Sequence, residues 1–110
     1  MHALSPLPPS VRLDIWLWAA RFFKTRSLAK QAIETGKVSV AGQRPKSSRA
    51  VRVGEQVQVD RGEEHFEIQV LGISDQRGPA PVAQQLYAES EASKARRAEQ
   101  RALRIAARDG

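Results

Sequence analysis

Between Lys24 and Lys30 the chain sets three cations and two hydroxyls within seven residues: Lys24, Thr25, Arg26, Ser27 and Lys30. Thr25 has the side chain of a helix N-cap, and the start of a helix exposes backbone amides with no partner. Amides, hydroxyls and cations together suit a phosphate group. Arg26 and Lys30 are four apart, so they share one helix face. Lys37 follows Gly36, the expected end of that helix. Arg12 precedes it on an earlier helix, and Arg44, Lys46 and Arg49 sit in the loop 43–49. A surface of this kind meets a nucleic-acid backbone through charge and shape, with little reading of bases. Structured RNA fits that mode, because its deep major groove hides the base edges. The plainer reading of each part is a solvated helix face, a solvated loop, and an Arg12 that pairs with an acid.

Other chemistry finds little to build on. The chain has no cysteine and only two histidines, His2 and His65. Disulfides, thiolate zinc sites and cysteine nucleophiles are excluded. There is no glycine-rich phosphate loop with its lysine and no histidine-glutamate metal motif. Glu63, Glu64 and Glu67 cluster, but at a turn, which rarely gives the cleft needed to shift a carboxylate pKa. No enzyme activity, no cofactor and no metal are expected. Trp16, Trp18, Phe22 and Phe23 are four of the six aromatics and fall within eight positions. Aromatics at such spacing are usually core; stacking on bases is the lesser reading, best suited to Phe23 or Trp18.

Charge is distributed in blocks. The 110 residues carry +6, with hydrophobic residues at 41% and charged residues at 27%, which fits a globular domain rather than a disordered chain. From Arg12 to Arg52 the net charge is +8, from Val53 to Ser93 it is −6, and from Lys94 to Gly110 it is +4. One electropositive face is the simplest arrangement. A basic chain without membrane signals points to nucleic acid. No apolar run approaches the roughly 18–20 residues of a bilayer span. The Pro-rich start lacks the pattern of a secretory signal, so a cytoplasmic location is expected.

The elements that would position these residues read as follows. Residues 1–9 form a flexible Pro-rich leader. Ser10 is the expected cap of a helix over 12–20, with Leu13, Trp16, Leu17 and Ala20 on one stripe. A second helix runs from a Thr25 cap to Gly36. Val38 and Val40 alternate as a strand, Ala41-Gly42 makes a turn, and Val51 to Val59 reads strand, turn, strand. Asp60 to Glu63 is a hairpin turn, and Phe66, Ile68 and Val70 alternate on the next strand. Gly72 to Pro81 is a loop. Residues 82–108 lack Gly and Pro and read as one Ala-rich helix that packs at its start and projects at its end.

Several of these segments are familiar together. Arg12-Leu13-Asp14, Thr25 to Ala29, Gly36 to Gly42, and Val51 through Gly54 to Val57 resemble the RNA-binding domain named after ribosomal small-subunit protein four. The stretch RLDIWLWAARFFKTRSLA and the loop Gln76 to Ala80 resemble, more narrowly, the family of bacterial ribosome-associated fifteen-kilodalton heat-shock proteins. The likeness covers roughly residues 10–90. Many such domains have Asn where this chain has Ala41, and Asp where it has Glu55.

The resemblance implies an α+β fold with the αL motif: two N-terminal helices packed on a small, mostly antiparallel sheet, followed by a C-terminal helix. It implies an RNA-binding domain over 10–72 and a loop with a basic helical extension over 73–110. It implies binding to ribosomal RNA of the large subunit, in rescue or recycling of dissociated large subunits that still hold a nascent chain on tRNA under heat stress. Peptidyl-tRNA is then a possible further contact. General RNA and DNA binding, or an adaptor role without ribosome specificity, is the alternative. Arg12, Lys24, Thr25, Arg26, Ser27, Lys30, Lys37, Arg44 and Lys46 fall on the family's basic surface, with Arg49 beside them. A monomer is the default expectation for a small basic RNA binder.

Overall fold

The computed structural model describes residues 10–109; the proposed leader at 1–9 lies outside the described residues. The order is β1 (Ser10–Arg12), α1 (Leu13–Ala19), α2 (Arg26–Glu34), β2 (Val38–Val40), β3 (Ala50–Arg52), β4 (Gln56–Arg61), β5 (Glu64–Val70), α3 (Ala80–Ala83), a 3₁₀ turn (Gln84–Leu86), β6 (Tyr87–Glu89) and α4 (Glu91–Asp109). β2, β4, β5 and β6 form one sheet in that order, and β1 pairs separately with β3; every pairing is antiparallel. The fold is α+β, as expected. Among the described residues no helix is long and apolar enough to cross a membrane.

Both N-terminal helices end in the same backbone device. At the end of α1, the Phe22 amide bonds to Leu17 O at 2.9 Å and the Arg21 amide to Trp18 O at 3.1 Å. At the end of α2, the Lys37 amide bonds to Ala32 O at 2.9 Å and the Gly36 amide to Ile33 O at 3.2 Å. These are Schellman closures, which need a left-handed residue. Gly36 supplies it at φ 81°. In α1 the residue is Arg21 at φ 68°, a conformation costly for a side chain, and its Nε is held by Gly78 O at 2.8 Å.

The start of α1 corrects one expectation. Ser10 does not cap the helix; it lies in β1, opposite Arg52. The first amides of α1 are met by the loop before β3 instead. Leu13 N donates to Arg49 O at 2.8 Å, and Asp14 N donates to Ser47 O at 3.2 Å. The turn after β2 is as expected, with Ala41 and Gly42 at φ 53° and 77° between Val40 and Gln43. Positive φ at both central residues matches the twist of the strands.

One layer of helices covers the sheet. Leu13, Trp16, Leu17 and Ile33 are fully buried against Val38, Val57, Val59, Ile68 and Val70. The Trp16 Nε1 donates to Gly72 O at 2.9 Å, so the one polar atom of the largest core side chain is satisfied. Phe22 packs on Trp16, Phe66 and Tyr87.

The expected single helix over 82–108 is in fact broken. Residues 80–86 make a short helix and a 3₁₀ turn, Tyr87–Glu89 joins the sheet beside β5, and the long helix starts at Glu91. Helix propensity there is overridden by an open sheet edge: β5 offers a row of unpaired backbone groups that a strand satisfies. Ser90 then restarts the helix, its hydroxyl accepting the Ser93 amide at 3.1 Å. α4 packs on β5 and runs past it, giving a molecule 66 × 27 × 24 Å across.

α4 is docked by arginines rather than by an apolar stripe. Arg97 donates to Glu89 at 2.7 and 2.8 Å and to Glu64 at 3.0 Å, with its guanidinium 4.3 Å from the Phe66 ring centre. Arg96 pairs with Glu67, Arg101 with Glu64 and Arg104 with Glu63. The carboxyl of Glu89 is held below its ordinary value, chiefly by Arg97 and against the effect of burial. For Glu64 burial acts upward, and the bonds from Arg97 and Arg101 outweigh it. A lowered folded pKa means stability that is present above the ordinary 4.5 and is lost as pH falls through the lowered value. The melting temperature should therefore hold near neutral pH and drop in acid below about pH 4.5. Arg97→Ala should cost about 1–3 kcal/mol in urea denaturation at pH 7 and blunt the acid drop. An equal acid drop in the variant would locate the sensitivity outside this cluster.

Candidate nucleic-acid interface

α1 and α2 lie side by side, and their exposed stripes border an open groove. Arg12, Asp14 and Ile15 line it from α1 and the residue before it; Arg26, Ser27 and Lys30 line it from α2. Four of the sequence-predicted residues thus meet at one place. Thr25 performs the predicted capping: its Oγ1 accepts the Leu28 amide at 3.0 Å. The Arg26 and Ser27 amides have no partner among the described residues, so the positive end of α2 opens beside the groove. Lys24 is exposed just before it.

The remaining predicted residues are placed differently. Lys37 is exposed at the far end of α2, beside a second shallow groove with Phe23, Leu28 and Arg61. Arg44 lies over Gly36 and donates to Glu34 O at 2.6 Å, so it closes the C-terminal end of α2. Lys46 is exposed, and its carbonyl accepts the Arg49 amide. Arg49 does not face the groove's residues; it makes two bonds to Glu55, at 2.8 and 3.0 Å. Glu55 also accepts the Arg52 amide at 2.8 Å, and its carboxyl sits below the ordinary value, chiefly through Arg49. That pair closes the turn between β3 and β4. Arg12 lies in the groove, but Asp14 takes its guanidinium at 3.0 and 3.1 Å.

Pairing therefore sorts the cations. Arg12 and Arg49 are paired with neighbouring carboxylates, and Arg96, Arg97, Arg101 and Arg104 of α4 with Glu63, Glu64, Glu67 and Glu89. Among the described residues Lys24, Arg26, Lys30, Lys37 and Lys46 have no carboxylate within 4 Å, and all are exposed. Lys24, Arg26, Lys30 and Lys37 lie just before, on and just after α2, and Lys46 in the loop before β3. Their field is the electropositive face anticipated from the block of +8.

Two residues that sequence reasoning did not assign to the site hold it together. Arg77 Nη1 donates to Trp18 O at 2.6 Å and to Phe23 O at 2.9 Å, bridging the end of α1 and the linker to α2. Its guanidinium is 5.9 Å from the Trp18 ring centre, and that of Arg26 is 5.7 Å. Arg21 ties the same linker to Gly78. Nothing in local pattern signals contacts between positions nearly 60 residues apart.

Residues 11–57 match the S4 domain. Over 89 residues the chain is 56% identical to the heat shock protein 15 homolog of Aeromonas salmonicida, covering 81% of this chain and 67% of that protein. The chain belongs to the heat shock protein 15 family. A trimeric structure of the Vibrio cholerae family member superposes with a TM-score of 0.83 at 49% identity, covering 86% of this chain and 96% of that one. That assembly contrasts with the monomer expected from sequence. The RQC P-site tRNA stabilizing factor of Bacillus subtilis is more distant, 34% identical over 65 residues, which cover 59% of this chain and 76% of that one.

Two arginines of equal charge should behave oppositely. Arg49→Ala should lower stability by about 1–2 kcal/mol, because it strands Glu55. Arg26→Ala should change it by less than about 0.5 kcal/mol, as expected for an exposed side chain with no ionic partner. Thermal or urea denaturation of both variants checks the sorting; equal losses would refute it.

Proposed function

We propose that this chain is a non-enzymatic RNA-binding protein that docks on ribosomal RNA of the large subunit through the α1–α2 groove. The observation that carries this reading is the ring of unpaired cations around α2, set beside the open helix start at Arg26 and Ser27. Such a surface grips phosphates at fixed spacing and leaves base identity largely unread. Membership of the heat shock protein 15 family supports the ribosome as the place of action. Likeness to a factor named for stabilising P-site tRNA supports a role on large subunits that hold a nascent chain on tRNA, with peptidyl-tRNA as a neighbour.

The carboxylates near β5 supply no acid–base pair in this reading, because arginines of α4 occupy them. Binding and positioning are the whole of the chemistry.

Lys30→Glu and Arg26→Glu should each weaken RNA binding by about 1–3 kcal/mol while leaving the melting temperature near wild type. With about five phosphates contacted, log K should fall against log salt with a slope of roughly −3.5 to −4.5. Filter binding across a salt series measures both. Gradient co-sedimentation should show enrichment on large subunits stranded with nascent chains; equal binding to all particles would leave only a general RNA-binding domain. A flat salt response would defeat the phosphate reading.

A further inference from the structure

The two tryptophans of the chain sit in one helix but in opposite situations. Trp16 is fully buried, and its Nε1 is bonded to Gly72 O. Trp18 is only partly buried and lies in the last turn of α1, one turn beyond the partly exposed Ile15. Ile15 lines the groove. The apolar strip from Ile15 to Trp18 therefore continues the groove toward the end of α1. Arg26 belongs to both: it lines the groove and stands 5.7 Å from the Trp18 ring centre.

The surroundings of Trp18 are those of a nucleotide rather than of a core residue. Two guanidiniums flank the indole at 5.7 and 5.9 Å. Both lie over the ring within cation–π range, so a base takes its place on the indole as Arg26 turns from the ring to the adjoining phosphate. Arg77 is fixed by two backbone carbonyls, one of them Trp18's own, so the indole sits on a braced segment. A flat aromatic surface held rigid beside phosphate-binding cations is the arrangement that takes an unpaired base while the backbone runs on along the cations. Charge complementarity selects the occupant: an anionic strand, not a basic or neutral peptide.

We propose that Trp18 is a stacking platform for one unpaired base of the bound RNA, placed at the end of the α1–α2 groove so that Arg26 and Lys30 hold the adjoining phosphates. This rests on the RNA-binding reading above and specifies its ligand: a helical RNA interrupted by an unstacked nucleotide, with little preference for which base. Paired stems alone would use the groove and leave the platform empty.

The test uses three RNAs built on one stem sequence. The first is a fully paired hairpin stem, the second has a single bulged adenosine, and the third has an abasic residue at the bulge. Affinities are read by anisotropy of labelled RNA, and stacking by quenching of the protein's tryptophan emission; Trp16 is shielded, so Trp18 is the reporter. The bulged adenosine should bind about 5- to 150-fold tighter than the abasic RNA, the weight of one stacked base, and should alone quench the emission. Trp18→Leu should erase that difference, while its binding to the paired stem and its salt dependence stay at wild-type level. Should Trp18→Leu fail to fold, the adenosine-against-abasic comparison in the unaltered protein still decides. Equal affinity for those two RNAs without quenching, with the paired stem still bound, overturns the platform and spares the RNA-binding reading. No salt-sensitive binding to any of the three overturns both.

Discussion

One guanidinium organises the far half of this molecule. Arg97 bonds to Glu89 on β6 and Glu64 on β5 and lies over Phe66, so it joins two strands, a core ring and α4 at a single point. Its partner Glu89 is further held by Ser93, whose hydroxyl also receives the Glu67 amide. An arginine suits this position because its rigid planar fork presets the two parallel bonds to Glu89 while another N–H reaches Glu64, a geometry the compact ammonium of lysine does not fix. Around it, Arg96, Arg101 and Arg104 extend the same docking along the helix. The acidic middle of the chain is thereby answered within the fold by its basic end. The cations around α2 have no such partner and stay on display beside the two helices.

The binding face is itself held by backbone carbonyls rather than by side-chain pairs across it. Loop carbonyls at Ser47 and Arg49 receive the first amides of α1, and Arg77 takes the carbonyls of Trp18 and Phe23. Loops remote in sequence therefore set the angle at which α2 is presented. The groove's free cations remain uncommitted, which is the condition for their use by a ligand: a charge already paired inside the protein must be freed before it can bind a phosphate.

The sequence was most legible where one local signal decides the outcome. Thr25 and Gly36 bracket α2 because a hydroxyl cap and a left-handed residue have few other uses at those places. The strands from Val38 to Val70 follow from alternation. It was least legible where a distant partner decides. Tyr87–Glu89 has nothing in its composition to separate it from the Ala-rich helix that follows; the free edge of β5 makes it a strand. Ser10 looks like a cap until β3 claims it. Within the site, Lys24, Arg26 and Lys30 were correctly read as exposed cations, while Arg49 was not, because its partner Glu55 lies six residues on, across a turn. Charge counts locate a basic surface but cannot say which of its members are already spent.

The way α4 is docked also has a consequence for temperature. An apolar seam holds best at moderate temperature, and its advantage levels off on heating, whereas the cost of stripping water from a charged pair falls as water grows hotter. A helix joined to its sheet through a network of arginines and glutamates thus loses less of its grip on warming than one joined through leucines would. In a member of a heat-shock family, the extension is fastened by the class of contact that heat erodes least.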